Sequence, residues 1–490
     1  MAIRRLSLLA AVAATAVLPS GGAGASPLHA TGSPSHLTAA VQAAAVTAFA
    51  DWDTYHGNGQ RTGYAPTLKS VTTTPMSVWS VTLDGAVYGS PVIVAGGIKI
   101  VATENNTVYR ISGNRVVWRH HLGVPVPLSS LPCGNIDPLG ITGTPAYDRT
   151  TRSLIVVAEL ANPFRHVAVG LDPVTGAQRW YRNVDVPTSV PGITPQAMQQ
   201  RGALLVSARR VYVPYGGLAG DCSSYRGSLV ALDLDHPTSA ALWHFTVPSA
   251  REGGIWTPPG ASENPGGGLL VAVGNGPSSA TAPYDFSDSV LKVAFQKIQD
   301  SFSPSSWRAD NAGDADLGSA GPAIVGSWVF ADGKSGTAYV LHRAALGGIG
   351  GQASSMTLCR SFGGTAVLAN VVYVPCTDGL RAVRIIADAT MDRAVAHIGQ
   401  HHRIPGDRRW AAVGTGHRRR EAARAQPEHR SRPTLASGGS GNPVRYPGAV
   451  RQCSLCGHHD WYPGLQLVGQ NQAMTVHLAT TREANDLLAR

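Results

Sequence analysis

Val167-Ala168-Val169-Gly170-Leu171-Asp172-Pro173-Val174-Thr175-Gly176-Ala177-Gln178-Arg179-Trp180-Tyr181 decides the fold. A β-branched apolar run ends at an aspartate. A Thr-Gly turn follows, and a second short run carries a tryptophan. The phrase has relatives along the chain: Ser228-Leu229-Val230-Ala231-Leu232-Asp233 precedes Trp243 in the same way. A Gly-Ser/Thr-Pro turn opens a strand at Gly89-Ser90-Pro91 and at Gly143-Thr144-Pro145. Another apolar strand comes next: Ile98–Ala102, Leu154–Ala158, Val211–Pro214, Leu269–Val273 and Val371–Val374. Trp79, Trp118, Trp180, Trp243 and Trp307 punctuate the series, the last four at nearly equal spacing.

Four short strands per unit, each unit unable to bury its own faces, predict an all-β propeller of four-stranded blades. Six blades are readable between about residues 75 and 390. Composition agrees: 56 Gly, 33 Pro and only 14% charged residues mean many tight turns and few exposed helical faces. An N-terminal strand completing the last blade is the usual way such a ring closes.

The flanks read differently. Arg4 and Arg5, an apolar run from Leu6 to Leu18, and Ala23-Gly24-Ala25 have the form of a secretory signal ending at residue 25. Residues 26–50 are an Ala/Ser/Thr-rich linker, and 51–390 are the propeller. No apolar run is long enough to span a bilayer. The expected location is therefore outside the cytoplasm. Residues 391–490 form an irregular tail, disordered or frameshifted: 392–460 hold twelve Arg, no Lys, five acidic residues and seven His. Out-of-frame reading of a GC-rich gene would produce that bias and would remove about two blades. Most of the net charge of +10 lies in this tail and at Arg4 and Arg5. The folded part is close to neutral, which excludes a phosphate-binding patch and a nucleic-acid partner.

Six cysteines are present. The first four allow three pairings. Cys133–Cys222 and Cys359–Cys376 are favoured, the second as a staple across a hairpin. Cys453-x-x-Cys456 is half of a zinc motif, without a second half.

The repeat resembles the quinoprotein-like β-propeller family over roughly residues 50–390. Asp51-Trp52-Asp53-Thr54-Tyr55-His56-Gly57-Asn58 is similar to the family's opening segment, and Arg61-Thr62-Gly63-Tyr64 to its continuation. Intact members have eight blades. The family includes alcohol dehydrogenases that use pyrroloquinoline quinone (PQQ) and calcium, and it includes non-enzymatic binding proteins. The resemblance implies cofactor contacts at Trp256, which would stack on the quinone, and at Lys334. It implies calcium ligands at Asn275 and Asp221, and a catalytic base among Asp314 and Asp316. A hard cation takes carboxylate and amide oxygens and would polarise the quinone carbonyl. The chain departs from the enzymes at several points. It has no adjacent cysteine pair, no haem-attachment motif and no Trp within the acidic segment 310–318, and Asp221 stands where the enzymes carry Glu. Each of these residues also has a structural use available: Trp256 in blade packing, Asn275-Gly276 as a hairpin turn, and Asp314, Asp316 and Lys334 in turns. The sequence favours a secreted, non-catalytic scaffold that binds a ligand or a protein partner on one propeller face. A PQQ- and calcium-dependent alcohol dehydrogenase, acting on a simple or polymeric alcohol, is the alternative.

Overall fold

The computed structural model describes residues 51–66, 76–187, 189–239, 242–277, 281, 283–394, 465–470 and 473–480. Six successive antiparallel sheets follow one another in chain order. Blade 1 comprises Val92–Val94, Ile98–Ala102, Thr107–Ser112 and Arg115–His121. Blade 2 comprises Ala146–Asp148, Ser153–Ala161, Phe164–Leu171 and Gln178–Asn183. In blade 3 both Met198–Gln199 and Leu205–Ser207 pair with Arg210–Gly217, and Ser228–Asp233 and Trp243–Thr246 follow. Blade 4 is Ser262–Glu263, Leu269–Val273, Ser289–Ala294 and Lys297–Ser303, with Gly348–Ile349 added in parallel. Blade 5 is Ala323–Val325, Trp328–Ala331, Thr337–His342 and Ser354–Thr357. Blade 6 is Ala366–Leu368, Val371–Cys376, Gly379–Ile385 and Met391–Ala394.

Each blade buries its faces against its sequence neighbours, as a four-stranded unit with two apolar faces must. Ile100 of blade 1 shares a cluster with Leu154 of blade 2, and Ile155 of blade 2 shares one with Val211 of blade 3. The series continues through Leu229 with Val271, Leu270 with Val329, and Phe330 with Val372. Alternate residues of one strand therefore serve two different interfaces. Each such side chain contributes roughly 1.5–3 kcal/mol through burial.

Trp118, Trp180 and Trp243 lie on fourth strands, as the repeat predicts. Trp118 reaches the next blade, where its indole N–H donates to Pro173 O at 3.2 Å, beside the Thr-Gly turn. Trp307 departs from the pattern. It begins a short helix, Trp307–Ala312, because the chain leaves its sheet at Ser303 to form the acidic segment. Trp79 lies on Met76–Thr82, which pairs with Ala473–Thr480 and through it with Leu465–Gln470 in a three-stranded sheet. Val81 of that sheet packs with Tyr109 of blade 1. Within the expected irregular tail, therefore, 391–394, 465–470 and 473–480 are strand, and 395–464 lie outside the described residues. The signal-like segment, the linker to residue 50 and the Cys453/Cys456 pair lie outside them too.

Both favoured disulfides are present, Cys133–Cys222 and Cys359–Cys376. The second is not a staple within one hairpin. Cys359 follows the last strand of blade 5, and Cys376 ends the second strand of blade 6. Pairing of Ser361 with Cys376, and the Thr377 N–H donated to Arg360 O, bring the two cysteines side by side.

The first strand of each blade presents an edge toward the middle of the ring. Residues 51–64 cross these edges. Trp52 exchanges backbone hydrogen bonds with Ile93 of blade 1, and Tyr147 N of blade 2 donates to Asp53 O at 2.8 Å. Thr54 Oγ1 donates to Leu204 O, beside blade 3, at 2.8 Å. Glu263 N of blade 4 donates to Gly59 O at 2.7 Å, and Val367 N of blade 6 to Thr62 O at 2.8 Å. Arg61 is the hub. Its guanidinium is buried and donates to Ala261 O at 3.1 Å, Leu204 O at 3.1 Å and Thr54 Oγ1 at 2.9 Å. Asp51 accepts from Gly96 N in the first turn of blade 1, and Asp53 pairs with Arg149 in the first turn of blade 2. Because successive strands reverse direction, these turns lie on the face opposite the connections between second and third strands. The segment thus ties together the first strands of blades 1 to 4 and 6.

Arg61→Ala removes the donor to Ala261 O and one of the two donors to Leu204 O, and is expected to lower unfolding stability by about 2 kcal/mol. Val117→Ala, on the exposed edge of blade 1, should stay within about 0.5 kcal/mol of the parent in the same denaturant titration.

Candidate functional site

One face of the propeller carries the ends of the second strands. The pairs Val92↔Ile100, Ala146↔Ile155, Leu205↔Tyr212, Ser262↔Leu270 and Ala323↔Phe330 set equivalent registers in blades 1 to 5. Counting on four residues reaches the same place in each blade: Glu104, Glu159, Gly216, Gly274 and Lys334. The position carries acid in two blades, no side chain in the next two, and a cation in the fifth.

The acids clasp neighbouring blades. Glu104 Oε2 accepts from Gly140 N at 2.7 Å and from Thr142 Oγ1 at 3.2 Å, both ahead of blade 2. Glu159 Oε1 accepts from Gln200 N at 3.0 Å, in blade 3's opening segment. His166 stands beside Glu159, its Nε2 3.6 Å from Glu159 Oε2, while its Nδ1 meets Asp185 Oδ1 at 2.8 Å. Burial opposes charge on His166, but Glu159 and Asp185 outweigh it and raise its pKa to about 10. Burial pushes Glu104 up to about 8. These residues are absent from the sequence-based site. The signal was there, since Glu104 and Glu159 stand at the same step of the repeat, four residues beyond Ile100 and Ile155.

The glycines admit Trp256. A Cβ on Gly216 would stand 2.6 Å from Trp256 Cβ, and one on Gly274 would stand 2.8 Å from its Nε1. The segment bearing Trp256 lies between blades 3 and 4. Ile255 N donates to Tyr215 O at 3.1 Å, Gly253 N to Asn275 O at 2.8 Å and Gly274 N to Gly254 O at 2.9 Å.

Lys334 completes the constellation. Its Nζ lies 5.2 Å from the Trp256 ring centroid, donates to Asp316 Oδ2 at 2.9 Å and also pairs with Asp314. Asp316 is fully buried, whereas Asp314 is 67% exposed. Burial pushes the Asp316 carboxyl up against the pull of Lys334. Burial works against the Lys334 charge, and the two aspartates more than restore it. Asp288 anchors the same loop by accepting from Leu317 N at 2.7 Å. In the adjoining strand end, burial pushes Asp332 up to about 7.

Of the six residues singled out from sequence, Trp256, Lys334, Asp314 and Asp316 therefore meet in one place. Asp221 lies within electrostatic reach of Asp316, but its Oδ1 accepts from the Tyr225 hydroxyl at 2.5 Å. Asn275 holds the Trp256 segment through its backbone carbonyl. Among the described residues no group of three or more His, Cys, Asp or Glu side chains could hold a metal ion. No described helix is long and apolar enough to cross a membrane.

Comparisons with known proteins add little to this geometry. No protein-family model matches the chain, and no curated protein matches it. A solved structure described as "Structure of Dos1 propeller" is similar at 11% identity and a TM-score of 0.38, covering 61% of this chain and 71% of that one.

Glu104, His166 and Asp332 all have folded-state pKa values above their ordinary ones. The stability each contributes is complete below its unfolded pKa and is lost as pH rises through the folded value. The melting temperature should therefore fall as pH rises from about 5 to about 10. The slope should reach up to about 1.4 kcal/mol per pH unit for each group in its window. Glu104→Gln should flatten the portion below about pH 8. A melting temperature that climbs with pH across this range would contradict the assignment.

Proposed function

We propose that the protein is an exported, non-catalytic propeller that binds a ligand or partner on the face holding Trp256, Lys334 and Asp314. The signal-like start and the two disulfides support export, since disulfides persist in oxidising compartments. The placement of Lys334 carries the functional reading. Its ammonium lies over the Trp256 ring, where a flat cofactor would stack, and it is hydrogen-bonded to the aspartate that would have to act as base. A base neutralised by a paired lysine is poorly disposed to take a proton from an alcohol.

The residues do not fit calcium and PQQ well. Asp221 is engaged by Tyr225, Asp316 is engaged by Lys334, and Asn275 contributes its backbone to packing. One observation keeps a PQQ- and calcium-dependent alcohol dehydrogenase as the second reading. Four of the six residues expected from the family resemblance gather at one point on one face.

Titration with PQQ and Ca²⁺, followed by Trp fluorescence and by dye reduction with primary alcohols, separates the two. The binding reading expects no turnover and no saturable quenching. Saturable quenching with dye reduction, both lost in Trp256→Ala, would establish the enzyme instead.

A further inference from the structure

We infer that the outer edge of blade 1 takes an extended, acidic segment of a partner protein as an added β-strand. This surface lies on the rim, apart from Trp256 and Lys334, and the inference does not rest on the binding role proposed above. The edge is Arg115–His121, the last strand of its sheet, with Thr107–Ser112 on its inner side. Among the described residues no strand pairs with its outer side. Blades 1 and 4 have the longest outer strands, seven residues each. In blade 4 the chain itself covers part of that edge: Gly348–Ile349 pairs in parallel with Phe302 and Ser303. A fourth strand of this molecule therefore accepts a fifth, and in blade 1 the corresponding place is open among the described residues. Unpaired N–H and C=O groups at such an edge are the template on which an extended peptide adds.

Two further observations single out this edge and its occupant. Eight large apolar side chains are exposed among the described residues, and four of them gather here. Val116 and Val117 lie on the strand, and Val124 follows just beyond its end. Val174 stands beside it, because Arg110 Nη1 donates to Val174 O at 2.7 Å and the Trp118 indole donates to the preceding carbonyl, Pro173 O. Apolar residues along a sheet edge give an incoming strand side chains to pack on. The other observation is charge. Arg115 and Arg119 are exposed, and neither is in an ion pair with a described residue. The strand bears no carboxylate. Asp84, which like Arg119 stands within electrostatic reach of Tyr109, is held by the Thr103 and Thr107 hydroxyls at 2.7 and 2.6 Å. A segment that alternates β-branched and carboxylate side chains meets both features, since cross-strand pairs of opposite charge are favourable. The bulge at Val117 confines regular pairing to Trp118–His121, where the register against Arg110 to Thr107 is unbroken.

The probe is a fluorescein-labelled peptide of alternating valine and glutamate, titrated into the full chain at about 0.15 M salt. Anisotropy reads binding, and amide hydrogen exchange reads its place. Saturable binding is expected, with slowed exchange confined to residues 115–121. Arg119→Glu and Val117→Asp, each with its fold checked by circular dichroism, should weaken it at least about fivefold. Lys297→Glu should leave it unchanged, because this exposed cation lies on the outer strand that Gly348–Ile349 already joins. Equal weakening by Lys297→Glu would reduce the effect to diffuse attraction and overturn the inference. Equal binding of a peptide with proline in place of alternate valines would overturn it as well, because that peptide cannot add as a strand. So would equal binding of a peptide with lysine in place of glutamate. Absence of binding, or protection that falls elsewhere on the molecule, sinks it too. If heparin is bound at Arg115 and Arg119 and the peptide is not, the edge is a polyanion site and not a strand acceptor, and the inference fails.

Discussion

A buried guanidinium holds the ring together. Arg61 carries its charge into the interior without a carboxylate, and burial lowers its pKa to about 9. It is tolerated because backbone carbonyls and a threonine hydroxyl solvate it. These acceptors belong to the opening segment itself and to blades 3 and 4, so satisfying one side chain ties the segment to the ring. The neighbouring backbone of 51–64 does the same for blades 1, 2 and 6. First-strand edges that would otherwise offer unpaired groups are covered in this way.

On the face that carries the second-strand ends, one position of the repeat does different work in different blades. Where it is glutamate, the side chain reaches across to the next blade and accepts its backbone N–H groups. Where it is glycine, the space goes to Trp256, whose segment bonds the blades through backbone. Where it is lysine, the ammonium turns toward Trp256 and the acidic loop. The site is thus a local exception to the clasp that the first two blades use. A site made by removing side chains from a repeat needs no disturbance of the blades around it, since the strands and their apolar faces stay unchanged.

The acidic loop depends on the same economy. Gly348–Ile349 adds to the last strand of blade 4, and Leu346 N donates to Asp300 Oδ2 at 2.6 Å, which secures the outside of that blade. Inside, Asp288 fixes the turn at Leu317, so Asp316 is delivered to Lys334 from a loop whose two ends are both held. Rigid support of this kind leaves little ordering to be done by any group that binds there.

The sequence by itself determined the strand grammar. Turn residues and alternating apolar runs specify each blade through local chemistry, so four-stranded units, fourth-strand tryptophans at 118, 180 and 243, and both cysteine pairs were legible. Candidate residues were legible one by one through a family resemblance. Tertiary structure alone decided their relations. Trp307 left the strand pattern for a helix, and the second disulfide joined two blades. Glu104, Glu159 and His166 formed a buried network, and Lys334 paired with the aspartates expected to do chemistry. The reason is one of range. Turns and strands depend on near neighbours along the chain, whereas the charge state and partner of a buried side chain depend on groups tens of residues away that only the packing of blade on blade brings within reach.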